Sequence, residues 1–430
     1  MTIEALYDIF LQYPSIKTDT RKLEKGDIFF ALKGPNFNAN LFALQALRNG
    51  AAYAVVDEDI DDDNNEQIIR TNDVLTTLQQ LAKYHREQLN IPFIAITGSN
   101  GKTTTKELIH AVLSTHYTTY TTEGNLNNHI GIPLTLLRVK KDAQSAVIEM
   151  GANHQKEIAG YCEYAEPTHG IITNCGKAHL EGFGGEEGVR KGKGELFDYI
   201  RAHSGTVFAF DDYKYLHEMS QGIQNIHWYG TIAGGVTGTV LQSEPFLEVS
   251  VTKGADFISV KTQLVGDYNL PNILCTIAVG KHFNVPDEKI KSAIENYIPS
   301  NSRSQLIEKG TNKIILDAYN ANPTSMRAAI ENFTHIPSAK KVLILGGMME
   351  LGKDSIDEHE NLISLIDSYK WNNVLLVGGD FKYVSNNHTW VSSADEAVKW
   401  LRQQNFQQTY FLIKGSRSIQ LEKVLPGFEI

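Results

Sequence analysis

Apolar positions along the chain fall in short runs separated by amphipathic stretches, and their spacing predicts alternating strands and helices. Near the start, Asp27–Leu32 reads as a short strand, Leu41–Arg48 as an amphipathic helix and Ala52–Val56 as a second strand. A helix follows over Val74–Gln88. Asn90-Ile91-Pro92 then marks a boundary, because the residue before a proline resists the helical region. From there the pattern is strand Phe93–Thr97, glycine-rich loop Gly98–Lys102 and helix Thr103–Leu113. Apolar runs at Ala146–Met150, Gly170–Thr173 and Thr206–Phe210 alternate with helical stretches, as in a mostly parallel sheet. Thr237–Gln242, Leu247–Val251 and Phe257–Thr262 are short, β-rich and turn-bounded, which predicts an antiparallel patch appended to that sheet. Helix returns over Asn269–Phe283. Strands are expected at Lys313–Asp317, Lys341–Leu345, Val374–Val377 and Tyr410–Lys414, with helices between them, one opened by a capping box at Ser393 and Glu396.

These elements predict an α/β fold of three domains. A small α/β domain spans 1–88, a central domain with a mostly parallel sheet spans 89–299, and a Rossmann-like open sheet occupies 300–430 beyond the linker Pro299-Ser300-Asn301-Ser302. A length of 430 residues fits that division at about 150 residues per domain. The acidic stretch Asp57–Asp63 reads as a solvated loop of the first domain. Forty basic against fifty acidic side chains give a formal charge of -10, so a basic nucleic-acid footprint is excluded and an anionic substrate needs a local site. No apolar run approaches the roughly 18 residues of a membrane span. The start Met1-Thr2-Ile3-Glu4-Ala5 does not read as a signal peptide, and Cys162, Cys175 and Cys275 form no CxxC pair. The expectation is a cytoplasmic monomer, with no nucleic-acid partner and no membrane insertion.

The chemistry starts at Gly98-Ser99-Asn100-Gly101-Lys102-Thr103-Thr104, between a predicted strand and a predicted helix. There, backbone N–H groups and a helix N-terminus can wrap a polyphosphate. Lys102 would reach the β/γ-phosphates, and the Thr103 hydroxyl would hold Mg²⁺. The loop is shorter than GxxxxGK[ST], since Ile96 stands five residues before Gly101. A magnesium-directed carboxylate at the end of a neighbouring strand is supplied by Glu149 in Ala146-Val147-Ile148-Glu149, although taken alone this acid equally suits a turn cap.

The shortened loop resembles that of the Mur ligase superfamily, which includes folylpolyglutamate synthases. Further segments carry the resemblance: Glu149-Met150-Gly151-Ala152-Asn153-His154 with Glu157-Ile158, Asn174 with Ala178-His179-Leu180-Glu181-Gly182-Phe183-Gly184, and Asn125-Leu126-Asn127-Asn128 with Gly131-Ile132-Pro133-Leu134-Thr135. Asp317-Ala318-Tyr319-Asn320-Ala321-Asn322-Pro323 with Ser325-Met326 is the most distinguishing stretch. It resembles the branch that adds D-alanyl-D-alanine to UDP-N-acetylmuramoyl-tripeptide. Departures are Asn38-Ala39-Asn40 where the family has an Asp-Gly-His type of segment, Leu316 where an acid is common, Lys156 in place of glycine, Gly192 in place of alanine, and Gly347 in place of aspartate.

The resemblance implies an ATP-dependent, ADP-forming amide ligase that works through an acyl phosphate. Its implied catalytic residues are Lys102, Glu149, His179 and Lys193, the last as a carbamylated lysine, and Thr103, Glu149, His179 and Lys193 would surround Mg²⁺. Gly98–Thr104, Asn272, Arg303 and Asp317 are implied for ATP. Thr20 and Arg21 are implied for the uridine end of the substrate, and Asn125, Asn127, Asn128, Asn320 and Asn322 for the remaining substrate groups. Read without the resemblance, Arg190, Lys191 and Lys193 look like an exposed basic turn, and Asn272 looks like a helix cap. Two alternatives stand beside this reading. One is the Mur ligase that adds the third peptide residue, whose Asp-Asn-Pro-Arg type of segment is not found. The other is a nucleotide-binding switch without turnover.

Overall fold

The structure is a computed structural model, and it describes residues 1–60, 65–300 and 302–428. Asp61–Asp63 of the acidic stretch and Asn301 of the expected linker lie outside the described residues. Contacts gather the chain into two compact units: Met1–Ala95 with Tyr117–Ala152 and Lys156–Gly170, and Ile96–His116 with Asn153–Gln155 and Ile171–Ile430.

At the start of the chain, four parallel strands run in the order Ile16–Lys17, Ile28–Phe30, Tyr53–Val56, Ile68–Arg70. Their register puts Phe29, Ala54 and Ile68 into one buried cluster with Ala43 and Ala46 of a helix. That helix is shorter than its apolar pattern suggests. Ala39–Phe42 forms a 3₁₀ turn because the Asn38 side chain accepts from Asn40 N, and the α-helix runs only over Ala43–Arg48. The Val74–Glu87 helix is capped by Asp73.

The largest sheet has nine strands, in the order Ser259–Lys261, Glu248–Lys253, Val236–Gln242, Asn225–Gly230, Thr206–Phe210, His169–Ile172, Phe93–Thr97, Ser145–Glu149, Thr119–Thr121. The expected antiparallel patch is present as Val236–Gln242, Glu248–Lys253 and Ser259–Lys261. It joins through Asn225–Gly230, which pairs in parallel with its neighbours on both sides. Phe93–Thr97 is buried along its whole length, so it reads as a continuous apolar run rather than an alternating one.

Six strands near the end of the chain follow the order Gln305–Lys309, Asn312–Asp317, Tyr410–Lys414, Lys341–Gly346, Asn373–Val377, Thr389–Val391. All pair in parallel except Gln305–Lys309, an antiparallel edge. Ile314, Val342, Leu375, Phe411 and Ile413 fill the core under the helix Ala394–Gln403. Ser393 caps that helix as expected, but the box is not reciprocal. The Glu396 carboxylate accepts from Ser392 N and Ser392 Oγ, one residue too far back.

Candidate active site

The phosphate loop sits where the buried strand Phe93–Thr97 gives way to the helix Lys102–Ser114. Two glycines make the turn possible. Gly98 has φ +144°, and a Cβ there would lie 2.0 Å from Thr173 Oγ1. Gly101 caps the helix at φ +80°, with Asn272 Oδ1 only 2.8 Å from where its Cβ would be. The segment after the adjacent strand His169–Ile172 braces the loop. Ser99 N donates to Asn174 O at 2.9 Å and Asn100 N to Asn174 Oδ1 at 3.0 Å. Thr173 Oγ1 donates to Asn100 O at 2.6 Å, and Ser99 Oγ donates to Gly176 O at 2.8 Å. Lys102 Nζ folds back onto Gly98 O at 2.7 Å and Ser99 O at 3.2 Å, which holds its charge over the loop. Thr103 is buried just behind it. A tight, glycine-dependent loop at a helix N-terminus with an ammonium over it suits a polyphosphate.

Asn272 does not open its helix. It is the third residue of Leu270–His282, buried, accepting from Thr105 Oγ1 at 3.1 Å and donating to Asn269 Oδ1 at 2.9 Å. It therefore ties this helix to the one that starts at the loop.

Beyond the brace, His179 takes a left-handed φ of +52° and begins the short helix Leu180–Phe183. Its Nδ1 meets the Glu350 carboxylate, a contact that holds the Glu350 carboxyl below its ordinary range. Glu350 is itself left-handed, at φ +62°. Two non-glycine residues in that region facing each other mark a place where the surroundings impose the backbone. Lys193, on the helix Glu186–Ala202, is only 1% exposed, with Nζ 4.8 Å from the Phe183 ring centre. Lys191 on the same helix is exposed and pairs with Glu187 at 2.8 Å. The reading of this segment as one exposed basic turn therefore fails for Lys193, which the helical repeat turns inward. The buried Cys175 thiol is pushed up to about 12 by burial and stays protonated at neutral pH.

In the first unit, Glu149 closes its strand with its side chain buried and accepts from Asn127 Nδ2 at 2.8 Å. Asn127 O accepts from Gly151 N at 2.7 Å, and a Cβ on Gly151 would press the Asn127 amide at 2.9 Å. Asn128 accepts from Ile130 N and Gly131 N, fixing the entry to the helix Gly131–Leu137, while Asn125 is exposed. Thr20 and Arg21 lie on a 3₁₀ turn capped by Asp19. The Arg21 guanidinium grips Asp19 through two bonds at 2.9 and 2.8 Å and holds that carboxyl at about 2.

In the second unit, Asp317 ends its strand in an ion pair with Lys414, and Ser304 N donates to it at 3.4 Å. Arg303 does not pair with Asp317. Its guanidinium stacks on the Tyr319 ring at 3.6 Å, and its buried Nε finds no hydrogen-bond partner among the described residues. Asn320 Oδ1 accepts from Ala321 N at 2.9 Å, and Asn322 caps the helix Pro323–His335. Asn322 also reaches the phosphate loop, donating to Asn100 Oδ1 at 2.8 Å.

The family model described as Mur ligase middle domain matches residues 96–280, and the one described as Mur ligase, glutamate ligase domain matches residues 302–417. The UDP-N-acetylmuramoyl-tripeptide--D-alanyl-D-alanine ligase of Bacillus subtilis (strain 168) is 33% identical over 425 residues, covering 95% of this chain and 92% of that protein. The chain belongs to the Mur ligase family. A crystal structure of MurF from Acinetobacter baumannii matches this Mur ligase with a TM-score of 0.87 at 32% identity, covering 96% of this chain and 93% of that one. MurF ligase from Thermotoga maritima in complex with ADP matches with a TM-score of 0.88 at 25% identity, covering 97% and 98%.

Three charged residues of this Mur ligase stand at the site without having been singled out from sequence. Lys414 is buried against Asp317, Glu350 meets His179, and Lys177 donates to Glu358 at 2.6 Å. Lys414 carried a usable signal, a cation closing an apolar strand beside another strand that closes with an acid. Glu350 and Lys177 carried none, because only the tertiary fold gives them partners. The departures also find their place. Asn38 donates to Glu58 at 2.7 Å and Asn40 to Asp57 at 2.8 Å, so both amides are tied to acids in the first unit. Alanine in place of Gly192 would put its Cβ 2.3 Å from the Phe183 ring.

Proposed function

We propose that this Mur ligase uses ATP to join the carboxylate of UDP-N-acetylmuramoyl-tripeptide to the amine of D-alanyl-D-alanine, forming ADP and phosphate in cell-wall precursor synthesis. The B. subtilis relative, matched over nearly its whole length, bears the name of that reaction. The T. maritima neighbour was solved with ADP. The observation within this chain that carries the reading is the braced loop with Lys102 folded over it.

A carboxylate is a poor electrophile. Transfer of the ATP γ-phosphoryl group to a carboxylate oxygen gives an acyl phosphate and ADP. The dipeptide amine then attacks the acyl carbon, the C–O bond to phosphate breaks, and the amine proton leaves to solvent or a nearby base. In this reading the loop amides and Lys102 orient the phosphates and stabilise charge on the transferring group. Thr103, Glu149 and His179 have the hydroxyl, carboxylate and imidazole donors suited to Mg²⁺, and buried Lys193 would add an anionic oxygen as its carbamate. When bound, the ion neutralises the crowded oxygens. Arg303 and Asp317 would face the nucleotide, the Arg303 Nε having no partner among the described residues. Asn320 would face the dipeptide, Thr20 and Arg21 the uridine end, and Asn125, Asn127 and Asn128 the substrate loop. The domain division proposed is 1–88, 89–299 and 300–430. Its last boundary is supported by the two matched family domains, which end at 280 and begin at 302. The site of action proposed is the cytoplasm; among the described residues no helix is long and apolar enough to cross a membrane.

The test is phosphate release with ATP and tripeptide precursors ending in diaminopimelate, lysine or ornithine, each with and without D-alanyl-D-alanine, beside a dipeptide precursor with each of those amino acids. Dipeptide-dependent release with one of them supports the proposal. ATP binding without such release on any precursor would favour a switch, and release driven by a single amino acid added to a dipeptide precursor would favour the third-residue ligase.

A further inference from the structure

The Asn322 side chain is committed on every side the structure shows. Its Oδ1 accepts from Ser325 N at 2.9 Å, and Asn322 N donates to Ser325 Oγ at 3.1 Å, a reciprocal capping box at the start of Pro323–His335. Its Nδ2 donates to Asn100 Oδ1 at 2.8 Å, and Asn100 Nδ2 returns a longer bond of 3.4 Å to Asn322 Oδ1. The residue is 6% exposed. On the other side, the Asn100 backbone is fixed at both ends. Its N–H is held by Asn174 Oδ1, and its carbonyl accepts from Thr173 Oγ1 and from Asn174 Nδ2 at 3.1 Å. The side-chain direction is then the remaining freedom of this loop residue, and Asn322 sets it.

We propose that Asn322 is a positioning residue that couples the ligase segment, residues 302–417, to the phosphate loop through the Asn100 amide, rather than a residue that touches the dipeptide. The proposal rests on the ligase reading above. The helix cap fixes Asn322 rigidly, and the amide pair transmits that position to the middle of the loop. The loop then has its nucleotide-binding shape when the ligase segment is docked on it. The pair is part-buried and neutral, so its loss should be worth no more than an ordinary hydrogen bond, about three- to tenfold in an equilibrium or rate constant.

The experiment compares Asn322→Ser, Asn100→Ala and the double variant. Serine keeps a capping oxygen for the helix but is too short to reach Asn100. Asn100→Ala breaks the same pair from the loop side without touching the cap, so it carries the test if Asn322→Ser folds poorly. Each single variant should lower kcat/KM for ATP about three- to tenfold and weaken calorimetric binding of a non-hydrolysable ATP analogue by a similar factor. KM for D-alanyl-D-alanine should stay within twofold, and the double variant should be no worse than either single one. A raised dipeptide KM in Asn322→Ser alone, losses that multiply in the double variant, or no change in either single variant would each overturn the proposal. Failure of the ligase reading itself looks different, because the parent protein would then show no dipeptide-dependent phosphate release.

Discussion

At the scale of single residues, burial separates side chains that the sequence leaves alike. Lys191 and Lys193 stand two apart in one basic run, yet one is paired at the surface and the other is almost fully enclosed beside Phe183. Adding CO₂ to Lys193 would need its neutral amine, since the ammonium has no lone pair to attack with. Lys193→Arg keeps a positive charge but cannot form the carbamate. It should lose at least about a hundredfold in turnover, the scale of removing one directed electrostatic group. Lys193→Ala should be similarly poor and partly rescued by added formate or acetate, while Lys191→Ala should match the parent. A steady-state assay returning an active Lys193→Arg would show that no carbamate is needed there. Lys102→Ala removes the charge held over the loop by Gly98 O and Ser99 O. Turnover should fall by ~10³-fold with the fold intact. A loss under tenfold would mean that this ammonium does not face the transferring group.

Elements show why parts of the fold were legible and others were not. Phe93–Thr97 and Thr206–Phe210 match their sequence-derived bounds because strands buried along all or nearly all of their length are written as apolar runs. Asn225–Gly230 escaped because its first half alternates between exposed and half-buried positions, and the edge strand Gln305–Lys309 has no fully buried residue at all. The 3₁₀ start before Ala43 follows from a local Asn38 bond that competes with helix, a contest periodicity does not register. In the candidate site, the glycine-rich turn was legible because Gly98 and Gly101 stand between an apolar run and an amphipathic one, which become strand and helix. The cap that Asn322 makes with Ser325 is local, but its bond to Asn100 depends on a partner 222 positions away, which no sequence pattern registers. The packing of short helix on long helix is a further case. Gly192 leaves room for Phe183 over Lys193, and a Cβ there would overlap the ring at 2.3 Å. Gly192→Ala should therefore destabilise the protein by roughly 1–3 kcal/mol, the usual range for overpacking, read as a lowered denaturation midpoint. An unchanged midpoint would mean that the ring swings aside freely and does not fix Lys193.

For the molecule as a whole, the question is what holds the ligase segment against the loop. Besides the Asn100–Asn322 pair, Lys177 N donates to Thr324 Oγ1 at 3.0 Å. The Lys177 ammonium reaches Glu358 at 2.6 Å and Glu186 at 3.7 Å. Glu358 is mostly buried while Lys177 stays partly in water, so solvent screens the attraction and removing it alone should matter little. Reversing it is different. Lys177→Glu sets a third carboxylate against Glu358 and Glu186, and like charges at that distance repel. Dipeptide-dependent turnover should drop about tenfold or more in Lys177→Glu and recover to within about threefold when Glu358→Lys is added. The hydrogen bond to Glu358 raises the Lys177 pKa above its ordinary value of ~10.4. A raised lysine pKa gives a contribution fully present below the unfolded value and lost as pH climbs through the folded one. The Lys177–Glu358 ion pair should thus be constant from pH 6 to about 9, and any loss of activity in that window must come from another group. Higher salt should narrow the difference between Lys177→Glu and the parent, since the repulsion is partly screened. If the charge-swapped double variant stays as impaired as Lys177→Glu, repulsion at Glu358 is not the cause of the loss.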